Sequence, residues 1–400
     1  MSGALERIRV VELASYVAGP YAAMLLGDLG AEVTKIEPPA HGDPYRSWET
    51  GNYSSTFYSV NRNKRSIMLD LRSPRGIEIA RALIERADVL VENSRVGAME
   101  RLGLGYEQVS QRNPRLVYCS ITGYGTSGPY ASRPGYDTLG QSMSGLLSLL
   151  TDASDPQPMG ISLSDHLGGL FGCYAILAGL AARERTGRGQ RVDTSLLQAS
   201  VAFSGETLTR YLASGDVPGR ATRVRSAQVF AFKDQDGAPF VIHLSSPTKF
   251  WLGLLAAVGR PELNADPRFS SRGARQRNRE ALVEILEAIF GSGRREDWLA
   301  RMQAEDVPCG PLNSMDEVVA DPQVQHLGMV QSVTHPQQGT MRVVKSAVNL
   351  ADTPTVLQAA PTLDEHRAVI LKELGYPPDY IAAVAEGATS AEEGAEPGGG

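Results

Sequence analysis

The stretch "IRVVELASYVAGPYAAMLLGDLGAEVTKIEPP", from Ile8 to Pro39, decides the fold. It opens with a short apolar run rich in β-branched residues, which is typical of a buried strand. The segment "GPYAAMLLGDLG" then has helical spacing, and "AEVTKIEPP" returns to a strand pattern. A strand, a helix and a strand in so short a stretch predict a βαβ unit, in which the two strands are parallel.

The same alternation continues along the chain. The segments "RSIMLDL", "DVLVENS" and "PRLVYCSITGYG" are predicted strands, and "SPRGIEIARALIERA" is a capped helix. The pattern predicts an α/β fold with a Rossmann-like large domain built on a parallel sheet. Ligands of such sheets bind at the carboxyl ends of the strands. These ends fall at residues 15–18, 70–72, 93–95 and 123–125.

A composition shift after about residue 205 indicates a second, smaller α+β domain. It begins with a predicted hairpin, "VFAFKDQDGAPFVIHLSS", and continues with three predicted helices, of which "RNREALVEILEAIFGSG" has one apolar face. The late helix "LDEHRAVILKELGY" has no local partner, so we expect it to complete the large domain. The predicted divisions are a large domain at 1–205 completed by about 360–386, a small domain at 222–322, a linker at 323–359 and a disordered tail at 387–400.

The overall composition excludes several classes of protein. A net charge of −6 argues against a nucleic-acid-binding scaffold. Cys119, Cys173 and Cys309 lie far apart, and the six histidines form no metal-binding pattern, so we expect no metal site. The first residues do not have the pattern of a secretory signal, and no long uncharged apolar run is present. We therefore expect a cytoplasmic protein with no membrane-spanning segment.

Familiar catalytic motifs are missing. No GxGxxG follows the first strand, which disfavours a nicotinamide-dependent dehydrogenase, and neither a Walker A motif nor a serine nucleophile elbow is present. A single carboxylate, Asp165, stands out in "GISLSDHLGGLFG", directly before an apolar helix. Two hypotheses remain open for Asp165: a helix cap, or a nucleophile or base that substrate carbon can reach.

Two further stretches contain candidate binding residues. "RPGYDTLGQSMSGL" places Asp137 before another apolar helix, where the residue is either a cap or part of a site. "VENSRVGAMERLGLG" places Arg95 and Arg101 after a strand end, either on a solvated helix start or where they could bind an anion.

Several of these stretches together resemble the class III CoA-transferases of the CaiB/BaiF type, the family of formyl-CoA, carnitine and dicarboxylate CoA-transferases. The resemblance rests on "GPYAAMLLGDLGAEVTKIEPP", "NRNKRSIMLDLRSPRG", "ADVLVENSRVGAMERLGLGYE", "NPRLVYCSITGYGTSGPYASRPGYD" and "TGRGQRVDTSLLQAS". It extends over about residues 5 to 385 and includes "PCGPLNSMDEVVADPQV". It implies a homodimer of interlocked rings, in which each chain passes through a ring made by the other.

The resemblance also implies a chemistry. Asp165 matches the family's catalytic aspartate, which would form aspartyl anhydride and aspartyl-CoA thioester intermediates. Coenzyme A would be a substrate, with no resident cofactor, and the partners would be an acyl-CoA and a small carboxylic acid. The matching CoA contacts are Val17, Ala18, Leu69, Asp70, Leu71, Arg72, Asn93, Ser94, Arg95, Arg101, Pro134, Gly135, Tyr136 and Asp137.

The substrate acids are less defined. The formyl-CoA enzymes have a glutamine at Val17 and an arginine at Pro38, and these departures argue against formate and oxalate. Succinyl-CoA is a candidate donor, because arginines could pair with a distal carboxylate; the candidates are Arg46, Arg223 and Arg225.

Three rival functions remain open at this stage. The first is an acyl-CoA racemase or isomerase of the same family, although Tyr136 stands where the racemases have a histidine. The others are an NAD-linked oxidoreductase and a CoA-binding protein without catalysis. Exchange of solvent deuterium into the α-carbon, nicotinamide turnover and CoA binding without a covalent adduct would distinguish them.

Overall fold

The computed structural model describes residues 3–49, 51–246 and 248–380. These residues form two compact units. The larger unit comprises residues 3–147, 158–209 and 328–380, and the smaller one comprises residues 148–157 and 210–327.

The larger unit is built on a six-stranded sheet in which every pair of neighbours is parallel. Its order, β3-β2-β1-β4-β5-β6, is that of a doubly wound fold. The predicted α/β fold with a parallel sheet is therefore confirmed. The strands are β1 (Arg9–Leu13), β2 (Glu32–Glu37), β3 (Lys64–Met68), β4 (Val89–Glu92), β5 (Val117–Thr122) and β6 (Arg191–Ser195).

Helices connect these strands and continue through the chain. They are α1 (Ala18–Asp28), α2 (Ser55–Asn61), α3 (Pro74–Glu85), α4 (Ala98–Arg101), α5 (Tyr106–Arg112), α6 (Asp137–Met143), α7 (Leu146–Leu150), α8 (Leu163–Thr186), α9 (Leu196–Phe203), α10 (Gly205–Ser214), α11 (Arg220–Ser226), α12 (Lys249–Ala257), α13 (Arg272–Arg277), α14 (Arg279–Phe290), α15 (Arg295–Ala304), α16 (Met315–Ala320), α17 (Pro322–His326) and α18 (Arg367–Leu374), with 3-10 helices at Pro44–Ser47 and Pro261–Asn264.

Helix α8 packs closely on α1 and on the sheet because its buried face contains glycines at the points of contact. A Cβ on Gly169 would lie 2.6 Å from the carbonyl oxygen of Ala18, and one on Gly172 would lie 2.7 Å from the side chain of Ile121. By length and composition alone α8 could cross a membrane, but core helices of soluble proteins meet the same criteria. Its buried face packs against the sheet.

Charged side chains are buried beneath the carboxyl end of the sheet. The Lys35 ammonium lies 2.6 Å from Glu12 and 2.8 Å from Asp43, and the Lys64 ammonium lies 2.7 Å from the other Glu12 oxygen. All four side chains are fully buried. A buried side chain keeps its charge only when it is paired with a group of opposite charge.

Arg46 belongs to the same buried layer, which corrects one expectation. Its guanidinium donates two hydrogen bonds of 2.7 Å to Glu37 and a third to the carbonyl of Pro361, and it lies over the ring of Phe57. Because Arg46 is fully buried and paired, it is not free to bind a substrate carboxylate.

The smaller unit combines a three-stranded antiparallel sheet with helices. Strands β7 (Val229–Lys233), β8 (Pro239–His243) and β9 (Cys309–Pro311) pair in that order, and the β7–β8 turn contains Gly237 at a φ of 84°. Its apolar core includes Phe240, Leu286 and Phe290, all fully buried.

The segment after residue 327 returns to the larger unit. The stretch at 323–359, predicted as a linker, contains most of α17, which belongs to the smaller unit, and then a hairpin of β10 (Val330–His335) and β11 (Gly339–Val344). Ile370 and Leu371 of α18 are buried in the same core as Ile67 of β3. The predicted tail at 387–400 lies outside the described residues.

Candidate active site

A cavity of about 590 Å³ opens at the carboxyl ends of the central strands. Its walls come from the β1–α1 loop, the β4–α4 loop, the end of β5 and the loop before α6, with the first turn of α8 beside them. This is where doubly wound sheets bind ligands. Among the predicted residues, those in its lining are Val17, Ala18, Asn93, Ser94, Arg95, Pro134, Gly135, Tyr136, Asp137 and Asp165.

A second cavity, of about 430 Å³, adjoins the first. Both are lined by Leu13, Ser15 and Ser94, so the two cavities share a wall at the ends of β1 and β4. The other four predicted contacts at the end of β3 lie here: Leu69, Asp70, Leu71 and Arg72. Together the cavities offer an extended ligand two adjacent compartments over neighbouring strands.

Arg101 is placed differently from the other predicted contacts. It ends α4, is exposed to solvent and lines neither of these two cavities. Its guanidinium lies close to Gly97, which precedes α4 at a φ of 84°. The sequence pattern grouped Arg101 with Arg95, but of the two only Arg95 lines either of these cavities.

Asn93 has a structural partner as well as a place in the cavity wall. Its side-chain oxygen accepts from the N–H of Ser15 at 3.0 Å, and its amide donates to the carbonyl of Ser15 at 2.8 Å. The side chain thereby joins the ends of β1 and β4. Arg72 is 85% exposed and pairs with Asp70 at 2.9 Å, so it is accessible to a ligand.

Asp165 lies in the first turn of α8 and is half-buried. Burial, together with the nearby Asp137 carboxylate, raises the pKa of Asp165 to about 7. No described residue donates a hydrogen bond to its side-chain oxygens. A helix cap would instead accept a backbone N–H, so the cap hypothesis lacks its defining contact.

The backbone N–H groups at the start of α8 are already hydrogen-bonded within the protein. The N–H of Asp165 donates to Asp137 at 3.1 Å, and the N–H of His166 donates to the carbonyl of Ser162 at 3.1 Å. Neither N–H is therefore free to stabilise an oxyanion. The amino-terminal end of α1, which begins beside the cavity, supplies partial positive charge instead.

Aromatic side chains form another wall of the cavity. Tyr16, Tyr45, Trp48 and Tyr136 contact one another with ring centroids 5.4–6.5 Å apart. Burial and the Asp165 carboxylate raise the pKa of Tyr45. Tyr16 falls within the strand end predicted at 15–18 but was not named as a site residue. Tyr45 and Trp48, which follow β2, have no recognisable spacing in the sequence.

One carboxylate holds this wall in place. Asp43 Oδ1 accepts from the N–H of Tyr16 at 3.1 Å and from the N–H of Tyr45 at 3.0 Å. Tyr16 has a φ of 65°, a left-handed conformation that costs free energy in a residue with a side chain. The buried pair of Asp43 and Lys35 connects the cavity wall to the charged layer below it.

Among the described residues, no three or more histidine, cysteine, aspartate or glutamate side chains are grouped so that they could hold a metal ion. Cys119 and Cys173 are buried, and burial raises the pKa of both thiols, so neither resembles a reactive cysteine.

Comparisons with known proteins agree with this architecture. The sequence model of CoA-transferase family III matches residues 5–367. The chain is 38% identical to succinyl-CoA:glutarate CoA-transferase of Mus musculus over 92% of this chain and 86% of that protein. It is 37% identical to acetyl-CoA:oxalate CoA-transferase of Acetobacter aceti over 94% and 97% of the two chains.

A solved structure gives the same result. The crystal structure of a CAIB/BAIF family protein from Brucella suis superposes with a TM-score of 0.84 at 36% identity, covering 94% of this chain and all of that one. The resemblance that the sequence motifs indicated is thus confirmed across nearly the whole chain: the protein belongs to CoA-transferase family III.

Proposed function

We propose that this CoA-transferase moves CoA from an acyl-CoA donor to a free carboxylic acid through covalent intermediates on Asp165. The observation that carries the proposal is the Asp165 carboxylate itself, half-buried in a cavity wall without a described hydrogen-bond donor. A poorly solvated carboxylate gives up little hydration when it attacks a carbonyl carbon.

The steps balance without an outside reagent. Asp165 attacks the donor thioester, the C–S bond breaks, and a mixed anhydride forms with release of CoA thiolate. The thiolate attacks the aspartyl carbonyl, which yields an aspartyl-CoA thioester and the donor acid. The acceptor carboxylate attacks that thioester, and the released thiolate then attacks the acceptor's carbonyl. The product leaves, and Asp165 is free again.

The two adjoining cavities offer separate places for the thioester and the nucleotide of CoA. The thioester would lie in the cavity that contains Asp165, and the nucleotide would extend toward the end of β3. Arg72 and Arg95 are exposed and could pair with phosphate groups. The positive end of the α1 dipole favours negative charge beside Val17 and Ala18. Coenzyme A is a substrate here, and the proposed steps require no resident cofactor.

The acids are proposed from the relatives. The Mus musculus and Acetobacter aceti proteins are named for transfer to glutarate and to oxalate, both dicarboxylic acids. We therefore expect a dicarboxylic acceptor, with succinyl-CoA as the first donor to test. The aromatic wall of Tyr16, Tyr45 and Trp48 would exclude water, which matters because the anhydride and the thioester both hydrolyse.

The proposed assembly is a homodimer of interlocked chains. Its support is an exposed apolar surface on the larger unit, where Leu170 and Tyr174 lie one turn apart on α8 and are 51% and 69% exposed. Phe203 at the end of α9 is 57% exposed. Apolar side chains exposed in this way are typical of a surface that a partner covers.

Trapping the intermediate tests the covalent route directly. Wild-type protein is incubated with succinyl-CoA and then with hydroxylamine, and peptides are analysed by mass spectrometry. We expect a hydroxamate on Asp165, because only an activated carboxyl group reacts under mild conditions. Asp193→Ala, which removes an exposed carboxylate from β6, is the control and should label normally.

Two other results would point elsewhere. A wild-type protein that turns over without ever labelling Asp165 would overturn the covalent route. Incorporation of solvent deuterium at the α-carbon of an acyl-CoA, without CoA exchange, would support the racemase or isomerase hypothesis instead.

A further inference from the structure

Asp137 has both side-chain oxygens engaged within the protein. Oδ1 accepts from the backbone N–H of Asp165 at 3.1 Å, and Oδ2 accepts from the amide of Gln141 at 2.5 Å. Asp137 and Gln141 are one turn apart on α6. Both contacts serve the protein itself, and one of them reaches the backbone of Asp165, whereas the family resemblance suggested a contact with CoA.

Gln141 is fixed at both of its contacts. It is 1% exposed, and its amide nitrogen donates to Asp137 and, at 3.0 Å, to the carbonyl of Ile161. Both partners can only accept a hydrogen bond in these states, so the amide nitrogen must face them. Its oxygen is then buried without a partner among the described residues. Gln141 thus links α6 to the loop that leads into α8.

We propose that Asp137, itself held by Gln141, is a positioning residue for Asp165: it fixes the backbone of the nucleophile and places a second negative charge beside its carboxylate. The inference rests on the proposed role of Asp165. It reassigns Asp137 from substrate contact to support of the reacting group.

The second charge has a consequence for ionisation. A neighbouring carboxylate disfavours the charged form of Asp165 and contributes to its raised pKa. Gln141 is neutral, so it holds Asp137 without cancelling its charge. The other titratable or charged groups that line the same cavity are Tyr16, Tyr45, Arg95, Arg133 and Tyr136.

Asp137→Asn tests the charge while keeping an acceptor for the Asp165 N–H. The measurement is the rate of hydroxylamine labelling at Asp165 with succinyl-CoA, followed from pH 5 to pH 9. We expect the midpoint of the acid limb to move about 1 pH unit lower than in wild type, because the like charge is gone. The KM for succinyl-CoA should change less than twofold.

Glu107→Gln is the matched control. It makes the same change in net charge on the exposed side of α5 and should leave the midpoint unchanged. Gln141→Leu removes the support without changing the charge. We expect kcat to fall at least tenfold with little change in KM, while circular dichroism and the melting transition show a folded protein.

The outcomes separate this inference from the proposed function. Failure of wild-type protein to label at Asp165 would remove the proposed nucleophile. Normal labelling of wild type, together with an Asp137→Asn profile that keeps its midpoint but shows a tenfold higher KM, would make Asp137 a substrate contact and overturn the inference. A Gln141→Leu variant with wild-type kcat would overturn the supporting role proposed for Gln141.

Discussion

At the scale of single residues, Asp165 is placed where its charged form is disfavoured by burial and by the Asp137 carboxylate. Its pKa is about 7 in the folded protein and 3.8 in its ordinary state. Between about pH 4 and about pH 7, Asp165 is protonated in the folded chain and ionised in the unfolded chain. Stability therefore falls as pH rises from about 4 to about 7, and the loss is complete above pH 7.

Asp165→Asn should remove this cost. We expect the variant to be more stable than wild type at pH 8, by at most about 4 kcal/mol on the scale of about 1.4 kcal/mol per pKa unit. The gain should be smaller at pH 5. Urea unfolding at both pH values measures it. A variant about 1 kcal/mol less stable than wild type at both values would indicate a helix cap.

The same substitution should abolish transfer. Because Asp165→Asn has no carboxylate to form an anhydride, we expect the transfer rate to fall by roughly 10⁴-fold or more, as for other deleted nucleophiles. Binding of CoA should persist, and titration calorimetry can verify it. Retention of most of the activity would exclude Asp165 as the nucleophile.

Two arginines allow a comparison of phosphate contacts. Arg95 lines the main cavity, whereas Arg101 lines neither cavity. Arg95→Ala should raise the KM for the CoA ester roughly ten- to hundredfold, since a charge-assisted hydrogen bond contributes about 1.5–3 kcal/mol. Arg101→Ala serves as the comparison and should have a smaller effect. Steady-state kinetics with succinyl-CoA measure both effects. A larger rise in KM for Arg101→Ala than for Arg95→Ala would make Arg101 the phosphate ligand.

At the scale of elements, the close approach of α1 and α8 positions both the positive helix end and the nucleophile. Gly169→Ala would bring a methyl group to 2.6 Å from the Ala18 carbonyl oxygen, so the helices must separate. We expect a loss of about 1–3 kcal/mol in stability, typical of overpacking, together with a lower kcat. Gly205→Ala, where a Cβ meets nothing within 4 Å, is the control and should leave both unchanged.

The buried charged layer connects β1, β2 and β3 below the cavity. Glu12→Gln would leave Lys35 and Lys64 without the carboxylate that both of them contact. Breaking a buried ion pair in this way costs about 3–5 kcal/mol. Glu32→Gln, which removes a partly exposed partner of Arg65, should cost no more than about 1 kcal/mol. Equal losses in chemical denaturation would mean that the buried layer does not stabilise the sheet.

At the scale of the whole molecule, the sequence was most informative where local patterns repeat. Short runs with β-branched and other apolar residues located β1 to β5, and β4 and β5 are buried along their whole length. Strands β1, β2 and β3 were located although they also contain the charged residues of the buried layer. Strand β6 was not predicted as a strand. Its sequence "RVDTS" is polar and only its last two residues are buried, so it lacks that signal.

The site was predicted in part for a similar reason. Residues next to strand ends, such as Val17 and Ser94, lie where the topology must bring them together. Asp43, Tyr45 and Gln141 support the site through contacts across loops and helices, and no spacing in the sequence indicates such contacts. Arg46 was predicted to be available for a substrate carboxylate, because the residues next to it in the sequence do not show that its side chain is buried.

The exposed apolar surface on α8 and α9 leads to the last prediction, which concerns assembly. Leu170 and Tyr174 are too exposed for a monomer to leave uncovered without cost, so we expect a homodimer at micromolar concentration in light scattering. In an interlocked dimer, chains cannot separate without unfolding, so dilution should not yield folded monomers, and unfolding should depend on protein concentration. Tyr174→Asp should lower the melting temperature, whereas Arg188→Asp, at an exposed position just after α8, should not. A folded, active monomer would contradict this assembly.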